Sequence, residues 1–482
     1  MNTQSEISEI FLKSALTEKN PHIKTSEVLE WVEERRSNIH VAVEPITFDT
    51  MDKWKFSENR ASIQHETGRF FSIDGIKVET TWGNIPTWCQ PIINQPEVGY
   101  LGIITKLVDG VLYFLMQAKI EPGNIGTVQI SPTIQATRSN YTRAHQGKGQ
   151  IFLGHFLDRK KNRVLVDQLQ SEQGARFLRK RNRNIIILSH EDVPHDENYR
   201  WLTLGQIKEL MRFDNIVSMD TRTVVSGIPY GPCFSGAGSL LRMMAEQKDH
   251  ASRFAAGMLE STLETNNHLY TFEELLSWFT NAKQSYDLEV SQIPLNKVED
   301  WDITENSISH IDHRFFKVIP VKVSIEGREV QNWCQPMVQP MQEGLIAFIT
   351  KRIDGIYHFL VQAKLECGNF DVLELAPTVQ CLTGRHLPAD NSKDPFLKMI
   401  LNAPKNMVMF DSLQSEEGGR FYQEQNRNII VEIAESEDLD IPENYTWITA
   451  NQLSTFVKFN NYLNIQARSL LSVLNFRAPE HE

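Results

Sequence analysis

From Tyr100 to Ile120 the chain reads YLGIITKLVDGVLYFLMQAKI, two runs of β-branched and aromatic residues on either side of Val-Asp-Gly. An Asp-Gly pair accepts the positive φ angles of a tight hairpin turn, so this segment predicts two antiparallel strands joined at Asp109-Gly110. LIAFITKRIDGIYHFLVQAKL predicts the same hairpin at Asp354-Gly355. The unbroken apolar runs of RNIIILS (Arg183–Ser189) and RNIIVEI (Arg427–Ile433) predict buried strands. TLGQIKELM (Thr203–Met211) and TANQLSTFV (Thr449–Val457) predict short helices, each opened by a threonine that can cap its free N–H groups. Ser171 and Ser415 are placed to cap a further short helix through Phe177 or Phe421. Glu172 or Glu416 would stand in its first turn, where a carboxylate suits the helix dipole. Strands dominate the middle of each region and helices flank it, which predicts the α+β class.

These elements come in pairs because the chain is a tandem repeat. WCQP at Trp88–Pro91 returns at Trp333–Pro336, QAKIEPGN at Gln117–Asn124 as QAKLECGN at Gln362–Asn369, and SPTIQA at Ser131–Ala136 as APTVQC at Ala376–Cys381. The shift is 245 residues, and 21 of the 50 positions from Trp88 onward are identical without a gap. Trp31 pairs with Trp278, and Trp54 with Trp301. LQSEQGARFLRKRNRN (Leu169–Asn184) pairs with LQSEEGGRFYQEQNRN (Leu413–Asn428), and NYRWLT with NYTWIT. Each unit runs for nearly 200 residues, from a helix near Glu27 or Glu274 to a strand expected near Arg222 or Arg468. That is the length of a domain rather than of a solenoid repeat. The reading is a first repeat over residues 1–235, a helical connector over 236–270 and a second repeat over 271–482. Gly238–Asn267 has amphipathic spacing, so it serves as a connector or as a dimerisation element.

Composition narrows the class. A formal net charge of −12 argues against a nucleic-acid binder, which needs a basic face. The five cysteines, Cys89, Cys233, Cys334, Cys367 and Cys381, are odd in number and form no C-x-x-C pair, the pattern of a reduced cytoplasmic protein. The opening MNTQSEISEI lacks the apolar run of a signal peptide, and no run reaches the roughly 18 residues of a membrane helix. A strand-linked G-x-G-x-x-G fingerprint and the carboxylate-rich Nudix box are both absent.

QAKIEPGN, SPTIQATRSNYTRAHQG and DQLQSEQGARFLRKRNRN together resemble the NDP-hexose 2,3-dehydratases of bacterial deoxysugar pathways, and the resemblance covers nearly the whole chain. It implies a duplicated Nudix-like α+β domain without the Nudix box, with a nucleotide-sugar site in each half. It further implies a homodimer, the substrate dTDP-4-keto-6-deoxy-D-glucose, and loss of its C2 hydroxyl, an elimination that demands no metal, nicotinamide or flavin, so no cofactor is expected. The diketo product would pass to a 3-ketoreductase or an aminotransferase. A Nudix-type pyrophosphatase and a non-catalytic nucleotide-sugar-binding protein are the alternatives.

Candidate site residues fall into two groups. Lys119, Glu121, Gln170, Ser171 and Arg183 recur as Lys364, Glu366, Gln414, Ser415 and Arg427. Residues kept in both halves either grip something common to both, such as the diphosphate, or hold the fold through a buried Lys–Glu pair or a cap. Trp54 and Trp301 are expected to stack on the thymine, because a flat ring does so at low entropic cost. The second group differs between halves. After the shared Pro-Thr-x-Gln, the first half continues through Ser139, Asn140, Tyr141, Thr142, Arg143 and His145, while the second places Arg385 and His386 at the aligned positions. Tyr141 and His145 are the candidate acid–base groups, with Lys119 or Glu121 as partner. Arg143 suits a phosphate. The first half is therefore expected to do the chemistry and the second mainly to bind.

Overall fold

The computed structural model describes residues 4–137, 151–157, 162–191, 193–194, 196–231, 249–326, 330–383 and 394–477. Among these the duplication is visible element by element, with twelve strands and five α-helices in each half. The first half contains β1 (Val41–Pro45), β2 (Trp54–Phe56), β3 (Ser62–His65), β4 (Ser72–Thr80), β5 (Thr87–Asn94), β6 (Gly99–Val108), β7 (Val111–Ile120), β8 (Val128–Ser131), β9 (Ile134–Ala136), β10 (Arg163–Ser171), β11 (Arg181–Leu188) and β12 (Tyr199–Thr203). The second repeats them as β13 (Leu288–Ile293), β14 (Trp301–Ile303), β15 (Ile308–His310), β16 (Phe316–Ile325), β17 (Asn332–Pro340), β18 (Gly344–Ile353), β19 (Ile356–Lys364), β20 (Glu374–Ala376), β21 (Val379–Leu382), β22 (Val408–Ser415), β23 (Gln425–Glu432) and β24 (Tyr445–Thr449). The helices are α1 (Gln4–Ala15), α2 (Thr25–Asn38), α3 (Leu153–Leu157), α4 (Leu204–Leu210) and α5 (Met219–Ser226), then α6 (His250–Leu263), α7 (Phe272–Gln284), α8 (Leu397–Leu401), α9 (Ala450–Phe456) and α10 (Ile465–Ser472).

Local signals act as expected. The β6–β7 and β18–β19 hairpins turn at Asp109-Gly110 and Asp354-Gly355, all four residues at positive φ. Thr203 and Thr449 each accept the backbone N–H three residues on, and Gln206 and Gln452 reach back to complete capping boxes. β11 and β23 run parallel to β6 and β18 inside seven-stranded sheets and are apolar because both faces are covered. α6, in the expected connector, is the counterpart of α1. Ser14 Oγ donates to Leu112 O and accepts from Leu204 N, and Ser261 Oγ makes the same pair of bonds with Tyr357 O and Ala450 N.

Two expectations are corrected. Ser171 and Ser415 do not cap helices; they are the last residues of β10 and β22, and the glutamates after them lie in irregular backbone that leads into a turn. Arg222 and Arg468 lie on the helices α5 and α10, not on strands. Ser218 and Asn464 cap the starts of these two helices, a local signal for helix.

The halves are interlocked. β1 pairs antiparallel with β16 of the second half, from Val41↔Ile325 to Pro45↔Val321, and β13 pairs with β4 of the first, from Leu288↔Thr80 to Ile293↔Gly75. Each five-stranded sheet is thus completed by a strand of the other half. The turn after Glu121 crosses the turn after Glu416, and the turn after Glu366 crosses the turn after Glu172. Gly123 N donates to Gly418 O, and Gly368 N to Gly174 O, each at 2.7 Å. A Cβ on Gly123 would lie 1.6 Å from Phe421 O, so only glycine permits this approach.

At the pseudo-twofold centre α5 packs on α10. The Arg222 and Arg468 side chains, both fully buried, cross to the opposite half. Arg222 donates to Ser469 Oγ, Gln414 Oε1 and Ser415 O; Arg468 donates to Thr223 Oγ1 and Ser171 O. Burial lowers both guanidinium pKa values to about 10, still charged at neutral pH. Removing one leaves carbonyl and amide acceptors unpaired between the halves. Arg468→Met should therefore lower unfolding free energy by about 3–5 kcal/mol, the range for breaking a buried charge network. Denaturant titration followed by tryptophan fluorescence checks this; a loss below about 1 kcal/mol would reject it.

Candidate active site

Lys119 lies near the end of β7, and Glu121 follows the strand into the crossing turn. Their side chains are mostly buried and joined at 2.9 Å. Gln129 on β8 is the register partner of Lys119, so the two side chains project from the same face. Gln129 donates at 2.5 Å to Ser415 Oγ of the second half, while its own Oε1, fully buried, finds no partner among the described residues. The first turn of α5 closes the other side. Ser218 N and Thr221 Oγ1 both bond Ile130 O beside Gln129, bringing in Asp220, which is 4% exposed. From the second half come Glu417, half-buried, and Arg420, which bonds Gln95 and lies 4.4 Å over the Phe71 ring.

This set is rich in carboxylates. Burial, then the neighbouring Glu121 carboxylate, push Glu417 up to about 7. Burial, Glu121 and Glu417 together hold Asp220 well above the usual carboxylate range. Such a group holds a proton near neutral pH, as a general acid requires.

The equivalent place in the other direction is built differently. Lys364 there reaches Gln380 O at 3.4 Å, and Gln380 donates to Glu366 at 2.8 Å. Gln173 stands for Glu417, Gln466 for Asp220, and Glu374 for Gln129, the register partner of Lys364. Glu374 accepts from Ser171 Oγ at 2.9 Å, and burial pushes it up to about 7. The repeats have traded acids for amides position by position. Comparing aligned pairs for charge change would have included these six residues, which a search for residues kept in both halves or for unlike loops passes over.

The remaining candidates are placed as follows. Gln170 and Gln414 tie the halves together, donating to Val457 O and Met211 O. Arg183 and Arg427 make two-pronged pairs with Asp167 and Asp411, and Arg183 also donates to Tyr100. Trp54 and Trp301 are corrected. Both indoles sit in one shared apolar core, 6% and 9% exposed, packed against Phe71 and His65 or Phe316 and His310, with no open face for a base. Ser139, Asn140, Tyr141, Thr142, Arg143, His145, Arg385 and His386 lie outside the described residues.

The model of the family described as NDP-hexose 2,3-dehydratase matches residues 25–228 and again 272–474. The chain belongs to this family. Among curated relatives, it is 44% identical to the dTDP-4-dehydro-6-deoxy-α-D-glucopyranose 2,3-dehydratase of Saccharopolyspora spinosa, with 96% of this chain and 94% of the relative covered. The proteins of the same name from Amycolatopsis orientalis and Streptomyces violaceoruber are 41% and 40% identical, with 93% and 97% of their lengths covered. Both family segments supply residues to each of the two clusters, so no cluster belongs to one family match alone.

Among the described residues no group of three or more histidine, cysteine or acidic side chains is arranged to hold a metal, and no helix is long and apolar enough to cross a membrane.

Glu374 gives a pH test within this family scaffold. Its carboxyl stays protonated in the fold up to about pH 7 but ionises near 4.5 when unfolded. The unfolded chain therefore binds fewer protons between these values, and stability falls as pH rises through that window. Glu374→Gln, the amide that Gln129 already supplies in the other cluster, should flatten that fall and raise the unfolding midpoint at pH 7.5. Melting curves from pH 4.5 to 8 would show a parallel fall in both proteins if the assignment were wrong.

Proposed function

We propose that the chain removes the C2 hydroxyl of dTDP-4-keto-6-deoxy-D-glucose, giving a dTDP-3,4-diketo-2,6-dideoxy sugar for deoxysugar biosynthesis. One observation carries this reading: three relatives named for the reaction align over more than nine-tenths of their own length. The chemistry suits the side chains available. A C4 ketone acidifies the C3 proton; a base removes it, the enolate forms at O4, and the C2–O bond breaks as an acid supplies a proton to the departing hydroxyl. The resulting enol tautomerises to the diketone. The buried Lys119–Glu121 pair offers a cation for the enolate and an adjacent carboxylate.

The finer assignments are part of the same proposal. Each half has a Nudix-like fold, the chain is a cytoplasmic homodimer, and the product passes to a 3-ketoreductase or an aminotransferase. Catalysis belongs to the Lys119 side, where Tyr141 and His145 transfer protons and Ser139, Asn140, Thr142 and Arg143 bind the nucleotide sugar. The Lys364 side, with Arg385, mainly binds. The exchange at Gln173 and Gln466 supports this division, because it removes two carboxyls from that side while Glu374 adds one.

Incubation with the 4-keto sugar and mass spectrometry should show loss of one water, trapped by a reducing or transaminating partner enzyme. Tyr141→Phe or His145→Ala should lower turnover by about 10²–10⁴ with dTDP affinity kept, and His386→Ala should do much less. The opposite order of damage would place the active cluster on the wrong side. Calorimetry with dTDP should give a stoichiometry near two per chain; a single site would remove the binding role given to the Lys364 side.

A further inference from the structure

We propose that Glu417, carried by the second repeat, is a catalytic residue of the cluster built on Lys119 and Glu121 of the first, and that it protonates the departing C2 hydroxyl. This deepens the dehydratase reading and rests on it.

Geometry brings Glu417 to that cluster. Its neighbour Gly418 accepts a 2.7 Å hydrogen bond from Gly123, which fixes the second half's turn against the segment that begins at Lys119. Ser415, two residues earlier, is held by Gln129 beside Lys119. Among the described residues the Glu417 carboxyl takes one hydrogen bond, where Oε1 accepts from Gly419 N at 3.0 Å. It is half-buried, whereas Asp220 and Glu121 near it are buried. Among these carboxylates it is therefore the one placed to meet a ligand. A second feature points to a ligand: Gln129 Oε1, fully buried on the same face as Lys119, has no partner among the described residues. An unpaired buried acceptor costs about 1–3 kcal/mol, which a hydroxyl-bearing ligand would recover.

The surroundings supply the proton. Glu417 lies within electrostatic reach of the carboxylates Glu121, Glu172 and Asp220 and of the cations Lys119, Lys180 and Arg420. Burial, then the nearby Glu121 carboxylate, favour the protonated form of Glu417 against the pull of these cations. The second cluster lacks the device, because Gln173 and Gln466 occupy the equivalent positions as neutral amides.

The step balances. As the C2–O bond breaks with its electron pair, the Glu417 O–H breaks and water leaves, while the enolate electrons close the C2=C3 bond and restore the C4 carbonyl. The proton taken from C3 returns at C2 on tautomerisation, and the enol proton at O3 restores Glu417.

The test separates the two halves of the reaction. Glu417→Gln places the amide that Gln173 carries at the corresponding point of the same fold. It should lower water elimination by about 10²–10⁴ while recovered 4-keto substrate still gains one deuterium at C3 from D₂O, because proton abstraction survives. Glu417→Asp, which keeps the acid, should restore part of the elimination. Elimination at the wild-type rate in Glu417→Gln, or joint loss of exchange and elimination in a variant whose melting is unchanged, overturns the assignment. A wild-type protein that neither exchanges nor eliminates overturns the dehydratase reading itself.

Discussion

Two buried arginines hold this protein together. Arg222 and Arg468 each leave a helix of one half and end on the last strand residues and glutamine or serine side chains of the other. A guanidinium without water must find several acceptors, and backbone carbonyls at the ends of β10 and β22 supply them. The consequence reaches beyond stability. Fixing Ser171 and Ser415 also fixes the turns that follow, and those turns bring Gln173 and Glu417 to the opposite half's lysine. The same contact that joins the repeats therefore assembles both clusters.

The exchanged strands reinforce this dependence. With β1 on β16 and β13 on β4, and with one apolar core holding Trp54, Trp301, Phe177 and Phe421 together, neither half completes its small sheet alone. A duplicated domain that exchanges strands can no longer drift as two independent units. Its copies can still diverge in side chains facing the clusters, where the backbone is already set. The acid-to-amide trades at Glu417 and Gln173, Asp220 and Gln466, and Glu374 and Gln129 are such changes. They alter proton inventory, and at the two glutamate–glutamine pairs with little change of shape, since those side chains differ little in volume.

The sequence by itself determined what depends on neighbours along the chain. The Asp109-Gly110 and Asp354-Gly355 hairpins were legible because positive φ is a local demand, and the α4 and α9 starts because a threonine and a glutamine three residues on satisfy each other. The repeat and the family were legible in long shared motifs, and the pairing of Lys119 with Glu121 was among the readings left open. Tertiary structure alone decided the rest. Nothing local tells β1 to pair with β16 rather than β4, because the two small sheets are copies and both accept a strand of that pattern. Ser171 and Ser415 carry a capping signal, yet the buried arginines claim their carbonyls and extend them as strands. Trp54 and Trp301 were read as stacking platforms from residue type, but whether an indole is open or covered depends on packing from the other half. The trades of acid for amide were written in the aligned repeats. Their meaning appeared only when the fold set the second half's Glu417 beside the first half's lysine, since electrostatic effects follow distance in space and not separation along the chain.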